Sequence, residues 1–205
     1  MLNNWINTKY LNQKTINKIR NSFKKAKPFS HIALKDFFDN EKLKIIKSEL
    51  YKENFIHKEC DLFNINQTND LKSSNNKIIK EFYNFFSSKE FTNYINNITG
   101  IKIYQKIDMA GLLLQNTGYL LPHDDELEGR KIAYVVNLSE GFKNNNGGSL
   151  DLFDSKDNHP KKIVKSIIPI FNTLVLFKVS RISFHQISEV CVAKDRVSIG
   201  GWFHG

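Results

Sequence analysis

The hydrophobic pattern of this 205-residue chain changes period near residue 100. Before that point apolar residues recur at helical spacing. Leu11, Ile16, Ile19 and Phe23 form a thin stripe over residues 11–26, which predicts a basic helix on the domain surface that ends before Pro28. Leu43, Ile46 and Leu50 predict a second helix over 40–52, with Asn40 as its N-cap. Ile78, Ile79, Phe82, Phe85 and Phe86 give a wide apolar face over 75–87. Phe91, Tyr94, Ile95 and Ile98 repeat it over 89–98, and Gly100 supplies the stop. The polar stretch Gln67–Asn76 between them reads as a flexible loop.

From Ile101 the apolar runs are short and strand-like. They are IKIYQKIDMA, KIAYVVNL, SLDLF, IVKSII, TLVLFKV, ISFHQI and RVSIGGWF. Turn residues separate them at Asn116–Gly118, Asn144–Gly148 and Asp154–Pro160. Many short strands in succession predict a β-sandwich or barrel-like double sheet, with the earlier helices covering one face. The expected organisation is a basic helical extension over 1–29 followed by a single α+β domain over 30–205.

Composition narrows the class. Hydrophobic residues make up 40% of the chain, enough for a packed core, and sixteen Phe point to an aromatic one. No run approaches the ~18 apolar residues of a membrane span. Cys60 and Cys191 suit neither a disulfide framework nor metal-ligand spacing, and the first residues lack an apolar leader, so a cytoplasmic location is expected. Cys191 reads as a small core hydrophobe. The formal charge is +9. Lys, Asn and Ile are abundant throughout, so compositional drift is the first reading and a basic docking face for nucleic acid the second. Local basic density is confined to Lys18–Lys27, and no aromatic-interleaved basic stripe is evident.

The chemistry-bearing pattern begins at His123-Asp124-Asp125. In an extended chain residues i and i+2 share a side, so His123 and Asp125 can aim at one ion. Six His and eleven Asp make about 0.3 such pairs by chance, so the pair alone is weak. His185, in Ser183-Phe184-His185-Gln186, would supply a second imidazole and complete a 2-His-1-carboxylate triad, which suits non-haem Fe(II). Arg196 follows eleven residues later and shares a strand face with Ser198, while Trp202 and Phe203 would pack behind that strand. An inward Arg needs an anion. A dicarboxylate such as 2-oxoglutarate would serve, with Ser198 adding a hydrogen bond; Asp151 or Glu189 is the internal alternative. Apolar residues such as Leu174 and Leu176 would line the pocket. His31, His57, His159 and His204 lack partners at metal spacing and read as surface or packing residues.

The wording around these residues is more specific than the residues themselves. Leu120–Leu138 (LLPHDDELEGRKIAYVVNL) resembles the iron-binding segment of the cytosolic prolyl 3-hydroxylases that modify a ribosomal small-subunit protein. NGGSLDLF, IVKSIIPIFNTLVLFKVS, SFHQISEV and SIGGWFHG extend the resemblance to Gly205, and it covers about residues 30–205. It implies a double-stranded β-helix of jelly-roll, cupin-like form with supporting helices, its iron and co-substrate core over 101–205. It implies Fe(II) on His123, Asp125 and His185, Arg196 on the distal carboxylate of 2-oxoglutarate, O2 as oxidant, ascorbate as reductant and a protein or peptide substrate.

The family places co-substrate tyrosines where this chain has Asn137 and, nearby, Leu114. Asn137 can still donate a hydrogen bond, whereas Leu114 can only pack. Eukaryotic members carry a second, inactive β-helix domain beyond the position of Gly205. Two rival readings remain: the same chemistry on another side chain or a small molecule, and a non-catalytic iron- and oxygen-sensing or RNA-associated β-helix.

Overall fold

The computed structural model describes residues 2–205. Four helices, α1 (Gln13–Lys25), α2 (Asn40–Leu50), α3 (Lys77–Phe86) and α4 (Lys89–Thr99), precede most of the sheet. The strands are β1 (His31–Lys35), β2 (Phe55–Cys60), β3 (Phe63–Thr68), β4 (Ile107–Leu114), β5 (Tyr119–His123) and β6 (Arg130–Asn137). They continue with β7 (Leu150–Lys156), β8 (His159–Ile167), β9 (Thr173–Lys178), β10 (His185–Ile187) and β11 (Arg196–His204). Side chains cap the helices as their sequences allow. Asn12, Asn76 and Ser88 accept from first-turn N–H groups, and Gly100 closes α4 at φ 73°. The α2 cap is Asp39, one residue before the expected Asn40. Aspartate accepts from Lys42 N at 2.9 Å and adds a negative charge at the positive helix end.

All the strand pairs are antiparallel, in the order β1-β9-β6-β11-β4-β3-β5-β10-β7-β8, with β2 added beside β3. The sheet curls so that β6, β9 and β11 on one side and β3, β5 and β10 on the other line one cavity, a β-sandwich bent almost into a barrel. This is the expected double-stranded β-helix with helices on one side. Strand alternation builds the layers. Ile132, Tyr134 and Val136 of β6, Leu174 and Leu176 of β9, and Val197, Ile199 and Phe203 of β11 face the helices. There they meet Phe82, Phe86 and Phe91, with Phe86 5.0 Å from Tyr134 and stacked 6.1 Å from Phe203 between centroids. The N-terminal segment joins this core: Trp5, Ile6, Ile19 and Phe23 are buried in it.

Several local expectations change. Residues 101–106 are irregular, and β4 starts at Ile107. Gln67–Asn76 is a packed connection, because Thr68 Oγ1 accepts from Gly111 N at 2.9 Å and Leu71 is buried in a short 3-10 turn. Strands β1, β2, β3 and β5 carry too little apolar alternation to stand out. Cys191 is exposed, not a core residue.

Two adjacent glycines on β11 differ in what a side chain would meet. A Cβ on Gly201 would lie 1.9 Å from Asp108 O, whereas one on Gly200 has its nearest neighbour at 3.4 Å. Gly201→Ala should therefore lower stability by about 3 kcal/mol or prevent folding, while Gly200→Ala should change it by about 1 kcal/mol or less. Thermal melts of the two variants check this.

Candidate metal and co-substrate site

Three side chains converge where the two sheet halves meet. His123 ends β5, and His185 starts β10 directly opposite it in register. Asp125 lies two residues past the end of β5 at φ 63°. Asp125 thus reaches His123 through a left-handed turn and not through the strand alternation expected from the sequence, and Asp tolerates that conformation better than most residues. His123 Nε2 lies 3.5 Å from Asp125 Oδ1, and His185 Nε2 lies 3.2 Å from Oδ2. Donors about 2.1 Å from one ion at right angles stand about 3.0 Å apart, so the three groups fit a single metal.

The backbone sets the imidazole tautomers. His123 Nδ1 is 2.8 Å from Leu121 O, and His185 Nδ1 is 2.9 Å from Ser183 O. A carbonyl only accepts, so each Nδ1 carries the proton and each Nε2 offers its lone pair to the common point. The Ser183 hydroxyl lies 3.0 Å from Asp124 O, tying the two ligand segments together. Burial lowers the His123 pKa, with nearby His185 adding to the shift, so the ring stays neutral and ready to ligate. Burial pushes Asp125 up, but His185 and His123 outweigh it and hold the carboxyl at about 2.

The triad opens into a cavity of about 560 Å³. Its walls are Leu112, Leu120, Val135, Leu150, Phe177 and Ile187, and Gln67–Asp70 form part of its rim. Leu174 and Leu176, expected here, face the helices; the opposite parity of β9 supplies Phe177, whose ring sits 4.5 Å from His185. Trp202 likewise lines the cavity and does not pack behind β11, since it shares a face with Arg196 and Ser198. Arg130 covers the Trp202 ring at 3.4 Å. Phe203 does pack behind the strand.

Arg196 is fully buried. Its Nε donates to Gly148 O at 2.7 Å, and Nη1 donates to Ser198 Oγ at 3.2 Å. Its Nη2 has no partner. Among the described residues no carboxylate pairs with it: Asp151 is taken by Ser149 and Gln186, and burial lowers the guanidinium pKa to about 10. Ser198, Asn137 and Thr173 stand in one cross-strand row on the same face. Asn137 Oδ1 and Thr173 Oγ1 are also buried without partners. Leu114 pairs with Arg196 across β4 and β11 but is packed among Ile65, Phe142 and Val190. Of these orphaned groups, Arg196 Nη2 and the Thr173 hydroxyl can donate and fit an anion that supplies acceptors, whereas Asn137 Oδ1 accepts and needs a donor. Thr173 and Phe177 were not singled out in the sequence, and Trp202 was placed behind the strand. Alternation counted along β11 from Arg196 puts Trp202 on the site face, whereas Thr173 is found only through its pairing with Asn137.

Residues 109–204 match the 2OG-Fe(II) oxygenase superfamily. The chain carries a 2OG-Fe(II) oxygenase domain. It is 40% identical over 181 residues to prolyl 3-hydroxylase OGFOD1 of Xenopus laevis, covering 87% of this chain and 35% of that protein. The Mus musculus protein of the same name is 39% identical over 181 residues, covering 87% and 33%. The chain thus spans about a third of the length of these relatives. A Trichoplax adhaerens prolyl hydroxylase solved with a hypoxia inducible factor peptide superposes at TM-score 0.73 with 14% identity, covering 97% of this chain and 93% of that one. That likeness bears on the fold. The donor set and the orphaned guanidinium fit Fe(II) and 2-oxoglutarate in this oxygenase domain.

Protons compete with metal for both imidazoles, so affinity should fall as pH drops through the imidazole range near about 6.5. Burial lowers the His123 pKa, so its share of the loss should set in on the acid side of that range. His185→Ala should cost at least about a hundredfold at any pH. Calorimetric titration with Mn(II) measures both.

Proposed function

We propose that this domain hydroxylates a prolyl residue of a protein, with His123, Asp125 and His185 holding Fe(II) and Arg196 anchoring 2-oxoglutarate. The observation that carries the chemistry is the cavity faced by the triad, together with a buried Arg196 whose Nη2 is unpaired among the described residues, on the strand that brings Gly200, Gly201 and Trp202 to that cavity. The prolyl substrate rests on the 40% identical relative named as a prolyl 3-hydroxylase. Bound together, iron, 2-oxoglutarate and O2 supply an oxidant that converts C–H to C–OH while the co-substrate becomes succinate and CO2.

The chain's residues position and shield. His123 and His185 present neutral Nε2 atoms because backbone carbonyls hold their Nδ1 protons. Asp125 supplies the negative charge and is ionised at any physiological pH. Ser198 accepts from Arg196, which leaves its own O–H free to donate to a bound carboxylate. Asn137 stands where the resemblance places a tyrosine, in one cross-strand row with Ser198 and Thr173. Phe177, Trp202 and the aliphatic wall exclude water from the reacting atoms. No side chain is asked for strong acid or base chemistry. The finer reading, a loop of a ribosomal small-subunit protein acted on in the cytoplasm, follows from the motif resemblance.

Incubation with Fe(II), 2-oxoglutarate and the ribosomal protein should add one oxygen to a proline, read by tandem mass spectrometry. Succinate release that depends on a non-prolyl substrate would replace this reading. Arg196→Gln should raise the KM for 2-oxoglutarate by about a hundredfold, since charged hydrogen bonds contribute about 1.5–3 kcal/mol each.

A further inference from the structure

The net charge is not spread along the chain. Residues 1–35 hold eight Lys or Arg and no Asp or Glu, whereas residues 36–205 hold 22 basic and 21 acidic residues. Compositional drift would dilute the charge evenly, so this segregation overturns that reading. Helix α1 spends its apolar side, Ile19 and Phe23, on the core and turns the rest to solvent.

The fold then brings more cations to the same place. The side chains of Arg20 and Lys24 reach to 3.1 Å of where a Gly100 side chain would stand. The chain continues from Gly100 into Lys102-Ile103-Tyr104-Gln105-Lys106. Ile103 is buried, so Lys102, Tyr104 and Lys106 alternate outward. Tyr104 N donates to His204 O at 2.7 Å, which ties this segment to the end of β11. The Lys131 stem stands against Gly205, where Lys102 O also lies. The Tyr104 ring is 57% exposed, with Lys102 Nζ 5.9 Å from its centroid. None of Arg20, Lys24, Lys102, Lys106 and Lys131 has an ion-pair partner among the described residues.

We propose that this surface binds a single strand of nucleic acid, with phosphates on the five cations and a base stacked on Tyr104. Unpaired cations answer backbone phosphates, and an exposed ring flanked by cations is a stacking platform. A bilayer is the weaker fit, because interfacial helices bury an apolar face in lipid and α1 has already committed that face to the core. The surface is outside the metal cavity but ends two residues from Asp108, which lines it. A bound strand would lie beside the cavity's rim.

Fluorescence anisotropy with labelled twelve-nucleotide single-stranded RNA and DNA tests the proposal, with a duplex, an acidic peptide and phosphatidylserine vesicles as controls. Single strands should bind in preference to all the controls, with affinity falling as salt rises. Tyr104→Ala should weaken binding about tenfold at an unchanged salt slope. Arg20→Gln with Lys24→Gln should reduce the slope of log K against log salt by about 1.4. Circular dichroism melts confirm that these surface variants fold. No binding at low salt, no effect of Tyr104→Ala, or equal or tighter binding to vesicles or acidic peptide would overturn it.

Discussion

A guanidinium buried inside an apolar sandwich is the constraint around which the rest is arranged. Arg196 is fully buried, and among the described residues no carboxylate pairs with it. Burying an unpaired ion costs several kcal/mol, and the lowered pKa of about 10 registers that cost. The neighbourhood offsets part of it. Gly148, at φ 69°, turns its carbonyl onto Nε, and a Cβ there would crowd Arg196 Cδ at 3.2 Å. Ser198 takes one terminal N–H. The other is left over, and a dicarboxylate is the missing counter-ion.

The central position of β11 explains why one strand can carry so much. It pairs with β4 on one side and β6 on the other. Its odd-numbered residues from Val197 to Phe203 seal the aromatic core under the helices. Arg196, Ser198 and Trp202 share the opposite face, and Trp202 lines the cavity that the triad faces. Gly201 allows the backbone of Asp108 to close in beside Trp202. A change that shifts this strand by one residue would exchange core for site, so fold and chemistry share one register. On the other half, β5 and β10 meet with His123 opposite His185, and the metal donors are held by strand pairing rather than by a loose loop.

The helices and the longer strands were legible because their apolar spacing is strong. α3 and α4 have wide faces and clear caps, and the alternation of β6, β9 and β11 is unbroken. The triad and Arg196 were legible through order and surrounding wording. What escaped detection depended on partners distant in sequence. β2 is an exposed strand held only by its pairing with β3, and β3, which pairs with β4 and β5, has too few apolar positions to announce itself. Asp125 reaches His123 through a left-handed turn that no period reveals. Trp202 and Leu176 were assigned to the wrong faces, because parity has to be counted from an anchored residue and the anchor is known only once β11 is placed between its neighbours. The basic surface escaped because Arg20 and Lys102 lie far apart in the chain and meet only through Gly100 and the end of β11.

The central claim is that Arg196 is kept charged and unpaired for the distal carboxylate of a co-substrate. Calorimetry on the Mn(II)-loaded protein compares 2-oxoglutarate with 2-oxopentanoate, which keeps the keto acid and chain length but ends in a methyl group. The account predicts that 2-oxoglutarate binds at least about a hundredfold more tightly, and that Arg196→Gln removes the difference. Equal affinity for the two acids would contradict it.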